Sequence, residues 1–216
     1  KEMGLPIQKF IIASNKNNIL TDFFKTGEYD ANREFYKTNA PAMDILVSSN
    51  LERLVYFLCQ DASKVKKYMD QLNETGKYIV DEDVMTKVKE NFKAGWLNEN
   101  QVLETIGECY KETGYLLDTH TAVGYGVYKQ YQKESQDQTK TILLSTASPY
   151  KFPESVYQAI TDQTLDEYSA IDALNETTQV DIPYPLQGIK DRKVLHTKVI
   201  DKDSIIDFIG EQVKGL

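Results

Sequence analysis

Short polar side chains gather at the ends of three apolar runs in this sequence. The runs predict buried strands over residues 7–15, 43–50 and 139–148. The side chains that end them are Ser14 and Asn15, then Ser48, Ser49 and Asn50, and finally Ser145 and Thr146. Hydroxyl and amide groups donate and accept hydrogen bonds, so together they could recognise an anionic small molecule. Each group taken alone is typical of turns and helix caps.

The elements around these residues determine whether they meet. Helical patterns follow the first two strands, a fourth strand is predicted over residues 192–200, and an amphipathic helix comes after it. Such alternation is typical of an α/β fold with a mostly parallel sheet. Ligands of these folds bind beyond the carboxyl ends of the strands. We therefore expect the three polar groups to converge at one edge of the sheet.

A long helical stretch interrupts the alternation. Residues 61–135 show helical patterns and no strand signal, and within them Asn98 and Gln101 have the spacing of a capping box. We therefore predict a helical insertion over residues 61–135. Residues 1–60 and 136–216 then form the α/β portion.

The composition disfavours several kinds of partner. The 216 residues carry a net charge of −8, which argues against nucleic-acid and anionic-membrane partners. No apolar run approaches the ~18 residues of a membrane span. Cys59 and Cys109 lie in helical patterns, so we expect free thiols in a reducing cytoplasm rather than a disulfide. No zinc-ligand spacing occurs, and we expect no metal site.

The opening residues "KEMGLP" have the pattern of a helix end. Gly4 fits a terminating position, and Pro6 follows it. Because the sequence also lacks an initiator Met, we expect it to be a fragment of a longer protein.

Two further side chains could serve a small-molecule site. His120 lies just inside a helix start that Asp118 caps, where the helix dipole disfavours the charged ring. The Arg53 guanidinium could hold a phosphate through two hydrogen bonds. Structural alternatives remain for both, since His120 can pack the helix start and Arg53 can pair with Glu52. These residues alone indicate a small-molecule site and no reaction.

Several stretches together resemble one enzyme family, the longer class of threonine synthases, which are fold-type-II pyridoxal-phosphate enzymes. The similar stretches, in order, are "IIASNKNNILTDFFKTGEY", "APAMDILVSSNLERLVYFL", "LDTHTAVGYGVY" and "LLSTASPYKFPESV". The resemblance covers essentially the whole chain. It departs from the family pattern at Ser148, where His is common, and at Thr119, which is often Pro.

The resemblance implies a reaction and a cofactor. The family converts O-phospho-L-homoserine and water to L-threonine and phosphate with pyridoxal 5'-phosphate. By its place in "STASPYKF", Thr146 would face the pyridine nitrogen of the cofactor, with Ser145 as the alternative. Weaker candidates could line the substrate site: Asn15, Ser49, Asn50, Arg53 and His120.

The resemblance also implies what this sequence lacks. The lysine that forms the Schiff base and the glycine-rich phosphate loop would lie upstream of residue 1, so no catalytic residue is assigned here. Lys151 follows the turn and is not that lysine. The missing N-terminal half of the same enzyme is then the expected partner, and this fragment is expected to be inactive alone.

Two other functions remain open. The chain could be a free-standing α/β binding or interaction module whose helical middle, with Trp96 and several tyrosines, docks a partner. It could also belong to a related pyridoxal-phosphate lyase that eliminates phosphate or water from a hydroxy-amino acid.

Overall fold

The computed structural model describes residues 1–214, which divide after Ile182 into two compact units. The strands, all in the first unit, are β1 (Phe10–Ser14), β2 (Glu28–Asp30), β3 (Lys77–Ile79) and β4 (Phe92–Trp96). The helices of the first unit are α1 (Ile19–Thr26), α2 (Ser49–Cys59), α3 (Ala62–Thr75), α4 (Glu82–Asn91), α5 (Glu99–Thr113), α6 (Thr119–Ser135), α7 (Pro153–Thr161) and α8 (Glu167–Thr178). The second unit begins at Pro183 and carries α9 (Ile205–Lys214). No helix within residues 1–214 combines the length and the apolarity needed to cross a membrane.

The strands form two small sheets. β1 and β4 are parallel, with Phe10 opposite Phe92 and Ser14 opposite Trp96. β2 and β3 are antiparallel, with Tyr29 opposite Tyr78. The parallel pair, enclosed by helices, agrees with the predicted α/β class.

The main hydrophobic core lies among α1 to α4 and the β2–β3 sheet. Its centre is a stack of tyrosine rings, with Tyr78 at 5.3 Å from Tyr29 and 5.5 Å from Tyr68 between ring centroids. Phe23 of α1 meets the stack edge-on at 6.2 Å from Tyr29. Stacked and edge-on aromatic pairs add stability beyond their buried area.

A second layer of helices continues from this core. α6 packs on both strands of the parallel pair and on α5, α5 packs on α7, and α7 packs on α8. Glycines allow the close approaches. A Cβ atom on Gly107 of α5 would lie 2.5 Å from the carbonyl oxygen of Ala159 in α7.

The predicted strand over residues 43–50 is wrong. A 3₁₀ turn, Pro41–Met43, opens this segment, and α2 already begins at Ser49. Between them, the Asp44 carboxylate accepts hydrogen bonds from Asn15, Asn17 and Thr38. Because these side-chain bonds bend the segment over the end of β1, it does not run as a strand.

The strands predicted over residues 139–148 and 192–200 are also wrong within the described part of the chain. Residues 139–146 are held instead at their two ends by side chains, through Thr139 Oγ1 to Gln8 Oε1 at 3.1 Å and Thr146 N to Thr121 Oγ1 at 3.2 Å. In residues 192–200, most side chains are exposed, and the segment pairs with no other strand among residues 1–214.

Two strands occur where the sequence predicts helices alone. β3 and β4 both lie within residues 61–135, and β4 supplies the parallel partner of β1. β4 has the sequence "FKAGW", in which Phe92, Ala94 and Trp96 alternate with Lys93 and Gly95, but five residues with a glycine among them are a weak strand signal. Its formation therefore depends on β1, which lies far away in the sequence.

Candidate functional site

A buried polar cluster forms the N-terminus of α6. It consists of Asp118, Thr119, His120 and Thr121, each at most 8% exposed, and is called the DTHT cluster below. Asp118 caps the helix as predicted, since its Oδ1 accepts from the backbone N–H groups of His120 at 2.8 Å and Thr121 at 3.2 Å. Its Oδ2 accepts a short hydrogen bond from the Thr121 hydroxyl.

These hydrogen bonds determine the charge of Asp118. Burial alone would raise the pKa of this carboxyl group. The hydrogen bonds from His120 and Thr121 outweigh burial and hold the pKa of Asp118 below its usual 3.8. The positive end of the α6 dipole also favours the anion. Asp118 is therefore ionised at neutral pH and can only accept hydrogen bonds.

His120 joins α6 to the 3₁₀ turn that precedes α2. Its Nε2 accepts a hydrogen bond from the backbone N–H of Ala42 at 2.9 Å. Because Nε2 is the acceptor, the ring proton of a neutral imidazole lies on Nδ1, which is 3.4 Å from Asp118 Oδ1 and 3.3 Å from Thr119 Oγ1. The ring also packs against Phe152 with 4.6 Å between centroids. The structure thus makes His120 a link between three segments.

Thr146 lies beside the same cluster. Its backbone N–H donates to Thr121 Oγ1 at 3.2 Å, while its side chain is exposed. Ser145 is exposed as well. Within residues 1–214, neither hydroxyl has a hydrogen-bond partner, so both are available to a ligand. By contrast, Ser148 Oγ is occupied, because it accepts from Tyr150 N at 3.3 Å and caps the turn that follows.

Asn15 is buried at the carboxyl end of β1, and its side-chain amide is engaged in hydrogen bonds with other residues of the chain. Nδ2 donates to Asp44 Oδ1 at 2.7 Å and to Thr38 Oγ1 at 2.8 Å. Oδ1 accepts from Asn17 N at 2.9 Å. These bonds fold residues 38–44 against β1, which is a structural role for Asn15.

Ser49, Asn50 and Arg53 lie together on the exposed first turns of α2. The Arg53 guanidinium donates to Asn50 Oδ1. In the described residues it forms no ion pair, with Glu52 or any other carboxylate. Neither hydrogen bonds nor ring contacts join these three residues to the DTHT cluster or to Thr146. The structure therefore brings His120 and Thr146 to one cluster and leaves the α2 group separate.

Thr121 is the residue that the sequence reasoning missed. Its hydroxyl connects Asp118 with Thr146, although the latter is 25 positions away in the sequence. The sequence does carry a local signal for Thr121, because a hydroxyl three positions after a cap residue favours a hydrogen bond between the two side chains. The buried Oδ1 of Asn39 was also missed, and it has no hydrogen-bond donor among residues 1–214.

Comparisons with known proteins find similarity to one enzyme, threonine synthase. Residues 121–208 match the family model described as "Threonine synthase, C-terminal". Threonine synthase of Eremothecium gossypii is 30% identical over 99% of this chain and 43% of its own length.

Solved structures agree with the sequence matches. The crystal structure of threonine synthase from yeast matches with a TM-score of 0.83 and 28% identity, over 100% of this chain and 44% of that one. The structure of PLP-bound threonine synthase from Brucella melitensis matches with a TM-score of 0.66 and 33% identity, over 83% of this chain and 37% of that one.

The chain thus spans less than half the length of the threonine synthases that it matches. The resemblance predicted from the four sequence stretches is confirmed, and so is the α/β class. Residues 121–208 match the C-terminal family model of threonine synthase, and the chain as a whole is similar to a portion of the threonine synthases.

Proposed function

We propose that this chain is the C-terminal portion of a threonine synthase, a carbon–oxygen lyase that converts O-phospho-L-homoserine and water to L-threonine and phosphate. The observation that carries this proposal is the similarity to the Eremothecium gossypii enzyme over 99% of the chain. The chain alone is expected to be inactive, because it spans less than half of that relative. A cytoplasmic location belongs to the proposal and is supported by two free cysteines, Cys59 and Cys109.

The cofactor proposed for the whole enzyme is pyridoxal 5'-phosphate, which supplies an electron sink for the substrate carbon atoms. The match to the PLP-bound Brucella melitensis enzyme supports it. The residues here fit one edge of such a group, since the Thr146 hydroxyl is exposed and free while its backbone is tied to α6. A neutral hydroxyl can face a ring nitrogen without forcing its protonation. Ser145 is the alternative residue for this position.

The partner proposed for this chain is the remaining N-terminal part of the same enzyme. Exposure alternates along residues 142–144, with Leu143 the least exposed of the three at 37%. Leu143 lies against Gly124 of α6, whereas Ile142 is 88% exposed and Leu144 is 76% exposed. Two large apolar side chains on one face suit burial under a further layer of the fold.

The substrate site remains a proposal. Arg53, with Ser49 and Asn50, is suited to a phosphate group, since its guanidinium is exposed and lacks a carboxylate partner among the described residues. Asn15 and His120 would support the substrate site indirectly, because both hold residues 38–44 in place through hydrogen bonds.

The domain division also remains a proposal, with a cofactor portion over residues 1–60 and 136–216 and an insertion over residues 61–135. The strand β4 lies in the insertion and pairs with β1, so the two portions share the parallel sheet.

The test is an assay of the full-length enzyme that contains this sequence. With O-phospho-L-homoserine and pyridoxal phosphate, we expect release of threonine and phosphate, and no activity from the present chain alone. Thr146→Val should lower turnover at least about tenfold, a loss of about 1.4 kcal/mol. Thr146→Ser should retain most of the activity, and Thr164→Val, at an exposed position before α8, should change nothing.

Other products would favour the other functions. A related lyase would release a 2-oxo acid in place of threonine. A free-standing binding module would show neither product nor cofactor binding, and that result would overturn the proposal.

A further inference from the structure

We propose that Thr121 and Asp118 are positioning residues that hold Thr146 at the cofactor edge. This inference rests on the proposed function, in which the Thr146 hydroxyl faces the cofactor. Neither residue need touch the cofactor itself. They act on the backbone of Thr146 and leave its side chain free.

The hydrogen bonds have one possible direction. The Thr121 hydroxyl has a single proton, which it donates in a hydrogen bond to Asp118, because an ionised carboxylate can only accept. The Thr121 oxygen is then left with lone pairs alone, which receive the N–H of Thr146 at 3.2 Å. Asp118 is itself held by two backbone N–H groups of α6. The backbone of Thr146 is thus connected to a helix end through two side chains.

The rest of this segment has little else to hold it. Among the described residues, the bond from Thr146 N is the only hydrogen bond made by residues 142–147. Leu143 adds an apolar contact at Gly124. On the far side of the turn, the His120 ring packs on Phe152 at 4.6 Å between centroids. The DTHT cluster therefore contacts the turn on both sides, through Thr121 at Thr146 and through His120 at Phe152. The contact of Thr121 is the nearer one to the proposed cofactor position.

The experiment uses the full-length enzyme and compares three variants. Thr121→Val keeps the shape of the side chain and removes its hydroxyl. Thr121→Ser keeps the hydroxyl. Thr161→Val is the matched control, because the Thr161 hydroxyl likewise makes one bond as donor, to the Tyr157 carbonyl, and accepts one backbone N–H, from Gln163, in another part of the fold.

Three quantities are measured for each variant. These are the absorption spectrum of the bound pyridoxal phosphate, the values of kcat and KM, and hydrogen exchange at the Thr146 amide. For Thr121→Val we expect a shifted spectrum, kcat lowered about tenfold with KM within about twofold, and faster exchange at Thr146. Thr121→Ser should restore all three, and Thr161→Val should match the wild type.

The outcomes separate this inference from the proposed function. If Thr146→Val is impaired while Thr121→Val keeps the wild-type spectrum and kcat, the positioning role is wrong and the proposed function stands. If the wild-type enzyme binds no pyridoxal phosphate and forms no threonine, the proposed function itself fails. Should Thr121→Val not fold, Thr121→Ala decides, because it also removes the oxygen that accepts the Thr146 N–H and must likewise shift the spectrum and lower kcat.

Discussion

Asp118 is charged at neutral pH although only 1% of its surface reaches solvent. Both carboxylate oxygens accept hydrogen bonds from the first turn of the helix that it caps. The charge is therefore compensated within one turn of α6, and the same turn holds Ala42 through His120 and Thr146 through Thr121. At the residue scale, a single cap organises two segments of the candidate site.

The stability of the protein should depend on pH through Asp118. Its pKa in the folded state lies below the usual 3.8, so the stabilisation is complete above that pH and is lost as the pH falls through the lower folded value. Asp118→Asn, which keeps a capping side chain, removes this contribution. We expect the difference in unfolding free energy between wild type and Asp118→Asn to be largest near neutral pH and to narrow below about pH 3.8.

Urea denaturation at a series of pH values measures this difference. Asn100→Ala, at an exposed position of α5 that lacks a titratable group, is the control and should show a constant offset. A wild-type advantage over Asp118→Asn that grows as the pH falls would contradict the account.

The sequence could predict the cap and could not predict what the cap holds. Asp118 precedes the first helical residue, and cap spacing is a local signal. The approach of Thr146 to Thr121 depends on tertiary structure, and so does that of Ala42 to His120, 78 positions away. The family resemblance pointed to Thr146, yet only the structure showed how its backbone is held.

At the scale of elements, local signals predicted the helices better than the strands. The capping box of Asn98 and Gln101 is present, with N–H···O distances of 2.9 and 3.0 Å in the two directions. Gly27 ends α1 at a φ of 83°, as a left-handed cap requires. Strands depend on neighbours, which is why residues 139–148 are apolar enough for a strand and still lack one among residues 1–214.

The contact between α5 and α7 gives an element-scale prediction. Gly107→Ala would bring a Cβ atom to 2.5 Å from the Ala159 carbonyl oxygen, so the helices must separate. We expect a destabilisation of about 1–3 kcal/mol despite the better helix propensity of Ala. Gly210→Ala in α9 meets no atom within 4 Å and should stabilise its helix by up to about 1 kcal/mol.

Thermal unfolding followed by circular dichroism distinguishes these two substitutions. Equal effects of Gly107→Ala and Gly210→Ala would show that α5 and α7 are not in close contact.

At the scale of the whole molecule, apolar side chains remain uncovered beside α6. Ile142 and Leu144 point away from the helix that Leu143 contacts. A chain that spans 44% of the yeast enzyme has fewer elements with which to cover such a face. The proposed N-terminal partner would bury it.

The double substitution Ile142→Lys with Leu144→Lys should have opposite effects on the present chain and on the full-length enzyme. In the present chain alone, the double variant should associate less, because exposed apolar area is removed. In the full-length enzyme it should destabilise by about 2 kcal/mol or more, because two charges would be buried without partners. Size-exclusion chromatography and denaturation measure the two effects.

Ile79→Lys is the control for this comparison. Ile79 is 62% exposed on β3, which contacts α3 and pairs with β2, and its substitution should not destabilise the full-length enzyme. A double variant that is as stable as the wild-type full-length enzyme would show that the face stays in solvent.

We propose that this chain supplies one wall of the cofactor site and that the lysine that forms the Schiff base comes from elsewhere in the enzyme. Labelling tests it most directly: pyridoxal phosphate is added to the present chain and to the full-length enzyme, each is reduced with borohydride, and the modified peptides are mapped. We predict no stoichiometric label on any lysine of this chain and one labelled lysine outside it in the full-length enzyme. Stoichiometric labelling of a lysine within residues 1–216, above all the exposed Lys151, would contradict the account.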